Sequence, residues 1–80
     1  MKNKTLEQYG YQPASSGNHS IDLFNPQTGI TLTIFDDGTA ELFAIIGIVI
    51  LKVDKFAYPH PRFELFNNAI IDAMRKLNAN

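Results

Sequence analysis

The longest apolar stretch of the chain is residues 42–51, which read LFAIIGIVIL and contain no polar side chain. A membrane-spanning helix needs about 20 such residues, so this run is too short to cross a bilayer. Its four isoleucines and one valine favour a strand, because β-branched side chains pack well on a pleated sheet. The lack of polar–apolar alternation fits a strand that is covered on both faces, although periodicity alone does not distinguish such a strand from a buried helix.

Polar and apolar side chains alternate in two earlier segments, residues 20–24 and 30–35, and each segment predicts a strand with one buried face. The intervening residues, Asn-Pro-Gln-Thr-Gly, are typical of a turn. Residues 36–38, which read Asp-Asp-Gly, predict a second turn before a third strand that begins at Thr39. The sequence therefore predicts an antiparallel meander.

Side-chain parity determines the register of these strands, because a slip of one residue moves every side chain to the other face. A four-residue loop at 26–29 places Leu23 opposite Leu32, and a three-residue loop at 36–38 places Leu32 opposite Leu42. One face then collects the apolar side chains Ile21, Leu23, Ile30, Leu32, Ile34, Ala40, Leu42 and Ala44. The rows on the other face are Asp22, Thr33 and Glu41, then Phe24, Thr31 and Phe43.

Residues 42–53 admit two interpretations. No turn is evident between Phe43 and Val53, so the simpler interpretation is one long third strand that bends at Gly47. The alternative is a hairpin at Ile46-Gly47, which adds a fourth strand.

The C-terminal residues predict a helix that starts at Pro61 or Arg62, after a segment broken by two prolines, and ends at about Asn78. Apolar residues at steps of three and four place one stripe on this helix: Phe63, Phe66, Ile70, Met74 and Leu77. We expect this stripe to pack on the apolar face of the sheet.

Residues 1–18 are rich in glycine, serine and proline and predict a mostly irregular segment, with a short ordered piece around residues 6–11. Residues 19–80 predict a single small domain. The fold class is α+β: an antiparallel meander of three to four strands with one C-terminal helix packed on one face.

Composition and spacing provide no support for catalysis. The chain has no cysteine, which excludes thiolate zinc sites, and its net charge of −1 includes no basic tract. The spacing of His19 and His60 does not require a metal, and Asp36 and Asp37 beside Gly38 are typical turn residues. We expect no enzymatic activity, no catalytic residues, no cofactor and no metal.

One helix covers only one face of a sheet, so the apolar residues 45–53 need another cover. We expect a second copy of the chain to supply it in a homodimer. The alternative is a monomer in which residues 6–11 fold back over the strand. The candidate contact surface consists of Phe24, Phe43, Ile45, Val49, Leu51, Tyr9 and Tyr11.

In size and composition the chain is similar to many small phage or mobile-element proteins that bind and block a host protein. The similarity implies a non-enzymatic protein-binding module that inhibits a host defence or regulatory protein. The expected location is the cytoplasm, because the sequence shows no signal peptide. One alternative is a self-assembling structural subunit. A second is a weak nucleic-acid-binding protein that stacks bases on Phe24, Phe35 and Phe43. No signal peptide or membrane segment is evident in the sequence.

Overall fold

The computed structural model describes residues 5–79, which form a five-stranded antiparallel sheet with one long helix packed on it. The elements in chain order are α1 (Leu6–Tyr9), β1 (Gln12–Ser16), β2 (Ser20–Asn25), β3 (Ile30–Phe35), β4 (Thr39–Ile46), β5 (Val49–Ala57) and α2 (Phe63–Asn78). The strand order is β1-β2-β3-β4-β5. The α+β class and the meander are confirmed, but the sheet has five strands rather than three to four.

The register predicted for the three central strands is confirmed. Leu32 lies opposite both Leu23 on β2 and Leu42 on β4. The three-residue loop at 36–38 ends at Gly38, whose φ of 87° is the left-handed conformation that this loop requires. Turn length and alternation together therefore specified which side chains face the core.

The single long third strand was a wrong prediction. β4 ends at Ile46, and the chain reverses at Gly47 and Ile48 to form β5. Gly47 has a φ of 61°, which fits the first central position of a two-residue type II′ turn. The predicted alternative, a hairpin near Gly47, is the correct topology, although the turn lies one residue further along the chain.

The fifth strand, β1, lies in the segment 1–18 that was expected to be mostly irregular. Gln12–Ser16 carry no large apolar side chain, but they pair with β2 from Gln12 opposite Phe24 to Ser16 opposite Ile21. The register shifts between Pro13 and Ser15, which indicates a bulge at the edge of the sheet. The short ordered piece expected around residues 6–11 contains α1, whereas residues 1–4 lie outside the described residues.

The core lies between α2 and one side of the sheet, which we call the helix face; its central row is Leu23, Leu32, Leu42 and Val53. Its fully buried side chains include Ile30, Leu32 and Leu42. From the helix, Phe63, Asn67 and Ile70 are buried against it. The predicted helix stripe is correct at its centre, although Leu77 at its end is exposed.

The N-terminal segment is fastened to the core by two buried polar side chains. The hydroxyl of Tyr11 donates a 2.5 Å hydrogen bond to Oδ1 of Asn67 on α2. Asn25, which is fully buried at the end of β2, donates through Nδ2 to the carbonyl oxygen of Tyr9 at 2.9 Å. The rings of Tyr9 and Tyr11 both pack edge-on against Phe63. Residues 5–11 therefore cover part of the helix face.

Stability is expected to fall as pH rises above about 10, the usual pKa of tyrosine. Burial raises the pKa of Tyr11 far above that value, and burial also raises the pKa values of Tyr9 and Tyr58. Above pH 10 the unfolded chain releases phenolic protons that the folded chain retains, so the folded state loses free energy relative to the unfolded state.

The Tyr11→Phe variant should show a shallower alkaline decline than the wild type, because its unfolded state has one phenol fewer to ionise. At pH 7 the variant should lose about 1 kcal/mol with the hydrogen bond to Asn67. Urea unfolding at pH 7 and pH 10.5 measures both effects. An unchanged alkaline slope would contradict the assignment to Tyr11.

Candidate protein-binding surface

The second side of the sheet, which we call the open face, lies opposite α2. Its central row runs across β1 to β5 through Gln12, Phe24, Thr31, Phe43 and Lys52. The neighbouring row holds Ser15, Asp22, Thr33 and Glu41. Asp22 accepts hydrogen bonds from the hydroxyls of Ser15 and Thr33, at 2.9 and 2.8 Å. At this end of the open face the polar side chains are therefore hydrogen-bonded to one another. The row at the other end, which we call the aromatic end, contains the rings of Phe24 and Phe43.

Beyond the aromatic end, the β4–β5 hairpin projects past the rest of the sheet. The register of β3 with β4 ends at Thr31 opposite Phe43, but β4 and β5 continue to pair up to Ile46 opposite Val49. Three further pairs at about 3.4 Å per residue extend the hairpin by about 10 Å. We call residues 45–50 the hairpin tip.

The hairpin tip is apolar, and five of its six residues are exposed, the exception being the half-buried Ile46. On the open face, Ile45 and Ile50 lie opposite each other and are 64% and 62% exposed. In the turn, Ile48 is 100% exposed. Monomeric proteins rarely expose contiguous apolar patches larger than a few hundred Å², and larger rimmed patches mark interaction sites. These residues make the tip the strongest candidate site in residues 5–79. Phe24, two strands away on the same open face, is also 42% exposed.

The helix leaves the other side of the tip uncovered because it crosses the sheet diagonally. Near its start, Phe66 packs on Phe56 at the end of β5, with ring centroids 5.0 Å apart. Near its end, Met74 lies beside Gly29 in the β2–β3 turn. The helix therefore moves away from β5, and Val49 on the helix face of the tip remains 38% exposed.

The two edges of the sheet differ in how open they are to further pairing. On β1, Pro13 has no N–H to donate, and the bulge beside it distorts the strand. On β5, the register is regular from Val49 to Val53 and then shifts opposite residues 40–42. Residues 49–53 of β5 therefore contain neither a proline nor a bulge, the two features that obstruct pairing on β1.

Lysines on the open face lie beside carboxylates or an aromatic ring. Nζ of Lys52 lies 3.3 Å from Asp54 and 3.9 Å from Glu41. Nζ of Lys55 lies 4.7 Å from the ring centre of Phe35. Lys52 therefore has its charge balanced locally, and the face does not present the row of free cations that a nucleic-acid backbone requires.

The predicted contact residues fall into three locations. Phe24, Phe43 and Ile45 share the open face, as expected for one surface, whereas Val49 and Leu51 lie on the helix face because the hairpin reverses the chain. Tyr11 is buried and Tyr9 is half-buried against Phe63, so both belong to the core or its margin. Their segment does not cover the hairpin tip.

Two of the most exposed tip residues, Ile48 and Ile50, were absent from the predicted surface. In one continuous strand both residues share a face with Ile46, but the turn at Gly47 and Ile48 places Ile50 beside Ile45. The available signal was Gly-Ile within an apolar run, because glycine can occupy the first position of a type II′ turn.

The ionisable groups near the other end of the sheet have structural partners. Nδ1 of His19 lies 2.8 Å from Oδ2 of Asp36, and both side chains are exposed. They border an open groove of about 300 Å³ that also includes Ile34 and Phe35. Asp37 accepts hydrogen bonds from the backbone and hydroxyl of Thr39 within its turn, and these bonds lower the pKa of its carboxyl.

Within residues 5–79, no three histidine or acidic side chains are grouped closely enough to hold a metal ion. Neither helix in this part of the chain has the length and apolar character needed to cross a membrane. Comparisons with protein-family models, curated proteins and solved structures found no significant match to this chain.

Proposed function

We propose that this chain is a non-enzymatic protein-binding module that inserts its hairpin tip into an apolar groove on another protein. The observation that carries this proposal is the exposure of Ile45, Ile48 and Ile50 on an element that projects beyond the sheet. Burying one such side chain contributes about 1.5–3 kcal/mol, so a few of them support a stable complex.

A module of this kind acts by occupying a surface that its partner needs. This mode of action fits an inhibitor of a host defence or regulatory protein in the cytoplasm, the class that small phage and mobile-element proteins exemplify. The strand pairing that continues up to Ile46 and Val49 favours such a role, because a pre-formed binding element loses little conformational entropy when it docks. Nucleic-acid binding is less favoured, since Lys52 lies between Glu41 and Asp54.

Replacing Ile48 with aspartate should leave the folding stability within about 0.5 kcal/mol of the wild type, because the side chain touches solvent alone. The same change should weaken partner binding by roughly tenfold to a hundredfold, since a charge then enters an apolar groove. Thermal melts and a binding titration with the identified partner measure the two effects.

The partner can be identified with a photo-crosslinking amino acid placed at residue 48 in cells that naturally produce the protein. The matched control places it at Leu65, which is also an exposed apolar residue but lies on α2. A specific adduct with another protein at residue 48, absent at 65, is the expected result. Equal labelling at both positions, or adducts with the chain itself alone, would contradict the proposal.

A further inference from the structure

We infer that two copies of this chain pair along their β5 edges to form a two-fold symmetric dimer with Leu51 on the axis. The asymmetry of the two sheet edges is the starting observation. Pro13 and a bulge obstruct β1, whereas β5 is regular from Val49 to Val53. An unobstructed edge presents N–H and C=O groups that readily pair with another strand.

The turn at residues 47–48 determines which backbone groups point outward. A two-residue hairpin closes on a hydrogen-bonded pair, here Ile46 with Val49, and such pairs alternate along an antiparallel ladder. Ala44 with Leu51 is the next hydrogen-bonded pair. The N–H and C=O groups of Ile50 and Lys52 therefore point away from β4, along the open edge.

A two-fold axis at Leu51 places Ile50 of each copy opposite the partner's Lys52. Both residues direct their free backbone groups outward, so the two symmetric pairs form four hydrogen bonds. Leu51 lies opposite the partner's Leu51 in a pair without hydrogen bonds, which is where side chains approach most closely. The result is a continuous ten-stranded sheet.

Two neighbouring registers are less favourable. An axis at Lys52 sets two lysines directly opposite each other, which is destabilising, and it brings the irregular part of β5 into the ladder. An axis at Ile50 requires Ile48 to pair, but Ile48 lies in the turn. Only the axis at Leu51 uses the regular residues of β5 on both copies.

The side chains at this register are compatible on both faces. On the helix face, Leu51 meets the partner's Leu51, and Val49 meets the partner's Val53, so half-exposed apolar groups cover one another. On the open face, Ile50 packs on the aliphatic part of the partner's Lys52. Each Lys52 retains its own carboxylate neighbours Glu41 and Asp54.

This inference is independent of the proposed function. The dimer uses the backbone edge of β5 and covers Ile50 in part, whereas partner binding rests mainly on Ile45 and Ile48, which lie outside the paired residues 49–53. Either interaction can fail while the other persists, and the experiments read different quantities. Partner binding is detected as covalent adducts with a different protein. Dimerisation is detected as a doubled molar mass of the purified protein.

Because the chain contains no cysteine, a single introduced cysteine reports directly on the register. In the full-length protein, Leu51→Cys should form an intermolecular disulfide under mild oxidation at least about tenfold faster than Ile50→Cys. The axis brings two copies of residue 51 within the Cα separation that a disulfide tolerates, about 4.4–6.8 Å, whereas two copies of residue 50 are farther apart. Faster cross-linking at residue 50 would overturn the register.

A second test introduces a charge at the exposed residue Ile50. It therefore does not depend on whether the fold tolerates a substitution at Leu51. Ile50→Lys places like charges opposite each other and should raise the dimer dissociation constant by about tenfold, since two such pairs form. Ile50→Glu faces the partner's Lys52 and should dimerise as well as the wild type. Sedimentation equilibrium of each purified full-length protein measures the constants, and circular dichroism verifies the fold.

The outcomes of the charge test separate the possible arrangements. Weakening by both substitutions would indicate an axis at Ile50, and the opposite order of effects would indicate an axis at Lys52. Either result overturns the register proposed here. A monomeric mass for the wild type up to several hundred micromolar would overturn the dimer itself.

Discussion

Replacing Leu32 with alanine should destabilise the fold by about 2–5 kcal/mol, the usual range for removing a fully buried leucine side chain. Leu32 lies at the centre of the row formed with Leu23 and Leu42, and that row packs beneath α2. The truncation leaves a cavity that neighbours on three strands and the helix cannot all close. Urea unfolding of the purified variant measures the loss.

The adjacent substitution Thr33→Ala is the matched control, because its side chain points to the open face. Its hydroxyl donates a 2.8 Å hydrogen bond to Asp22, so a loss of about 1 kcal/mol is expected. An equal loss of unfolding free energy in the two variants, or a larger loss in Thr33→Ala, would contradict the assignment of Leu32 to the helix face and Thr33 to the open face.

Replacing Asn25 with alanine should cost about 2–4 kcal/mol, because two backbone groups lose their partners at once. Nδ2 of Asn25 donates to the carbonyl oxygen of Tyr9, and Oδ1 accepts from the N–H of Gln27 at 3.0 Å. The first bond fastens the end of α1, and the second shapes the β2–β3 turn. The substitution should therefore loosen the N-terminal segment as well as lower the global stability.

Hydrogen exchange distinguishes these two effects. In the Asn25→Ala variant, the amides of Gly10 and Tyr11 should exchange faster at denaturant concentrations too low to unfold the sheet. The control is Asn68→Ala, in which an exposed asparagine on α2 is truncated, and it should change stability by less than about 0.5 kcal/mol. An unchanged exchange rate at Gly10 in the Asn25→Ala variant would show that Asn25 does not hold the N-terminal segment against the sheet.

The parts of the fold that could be predicted from the sequence are those where local and global preferences agree. Around Leu32, apolar alternation, the Asp-Asp-Gly loop and the length of the Asn-Pro turn all require the same register. The helix stripe centred on Ile70 follows from a period of 3.6 residues. The central row of the core and the side of the helix that covers it could therefore be predicted from the sequence.

The missed elements lack such agreement. β1 has no large apolar side chain and includes Pro13, so it is held by backbone pairing with β2 and gives no periodic signal. At Gly47, one glycine marks the turn, and the isoleucines on both sides conceal it because turns are usually recognised by polar residues. The sequence therefore left this turn as one of two interpretations, and the φ of 61° at Gly47 decides between them.

Polar burial was the other feature that the sequence could not reveal. Asn67 lies on the helix stripe and was not expected there, because asparagine is usually exposed. It is buried since Tyr11, 56 positions earlier in the chain, supplies its partner. The candidate site was predicted in part for a related reason: Phe24, Phe43 and Ile45 follow from parity, whereas Ile48 and Ile50 depend on where the hairpin turns.

The obstructed edge at Pro13 limits how large any assembly of this chain can become. If each copy can pair along only one of its sheet edges, a two-fold dimer buries both open edges. No open edge then remains for a third copy. If both edges accepted strands, each addition would create a new site, and growth would continue into open-ended fibrils. Pro13, in a strand of otherwise polar and small residues, thus prevents further strand addition in a protein whose opposite edge is regular from Val49 to Val53.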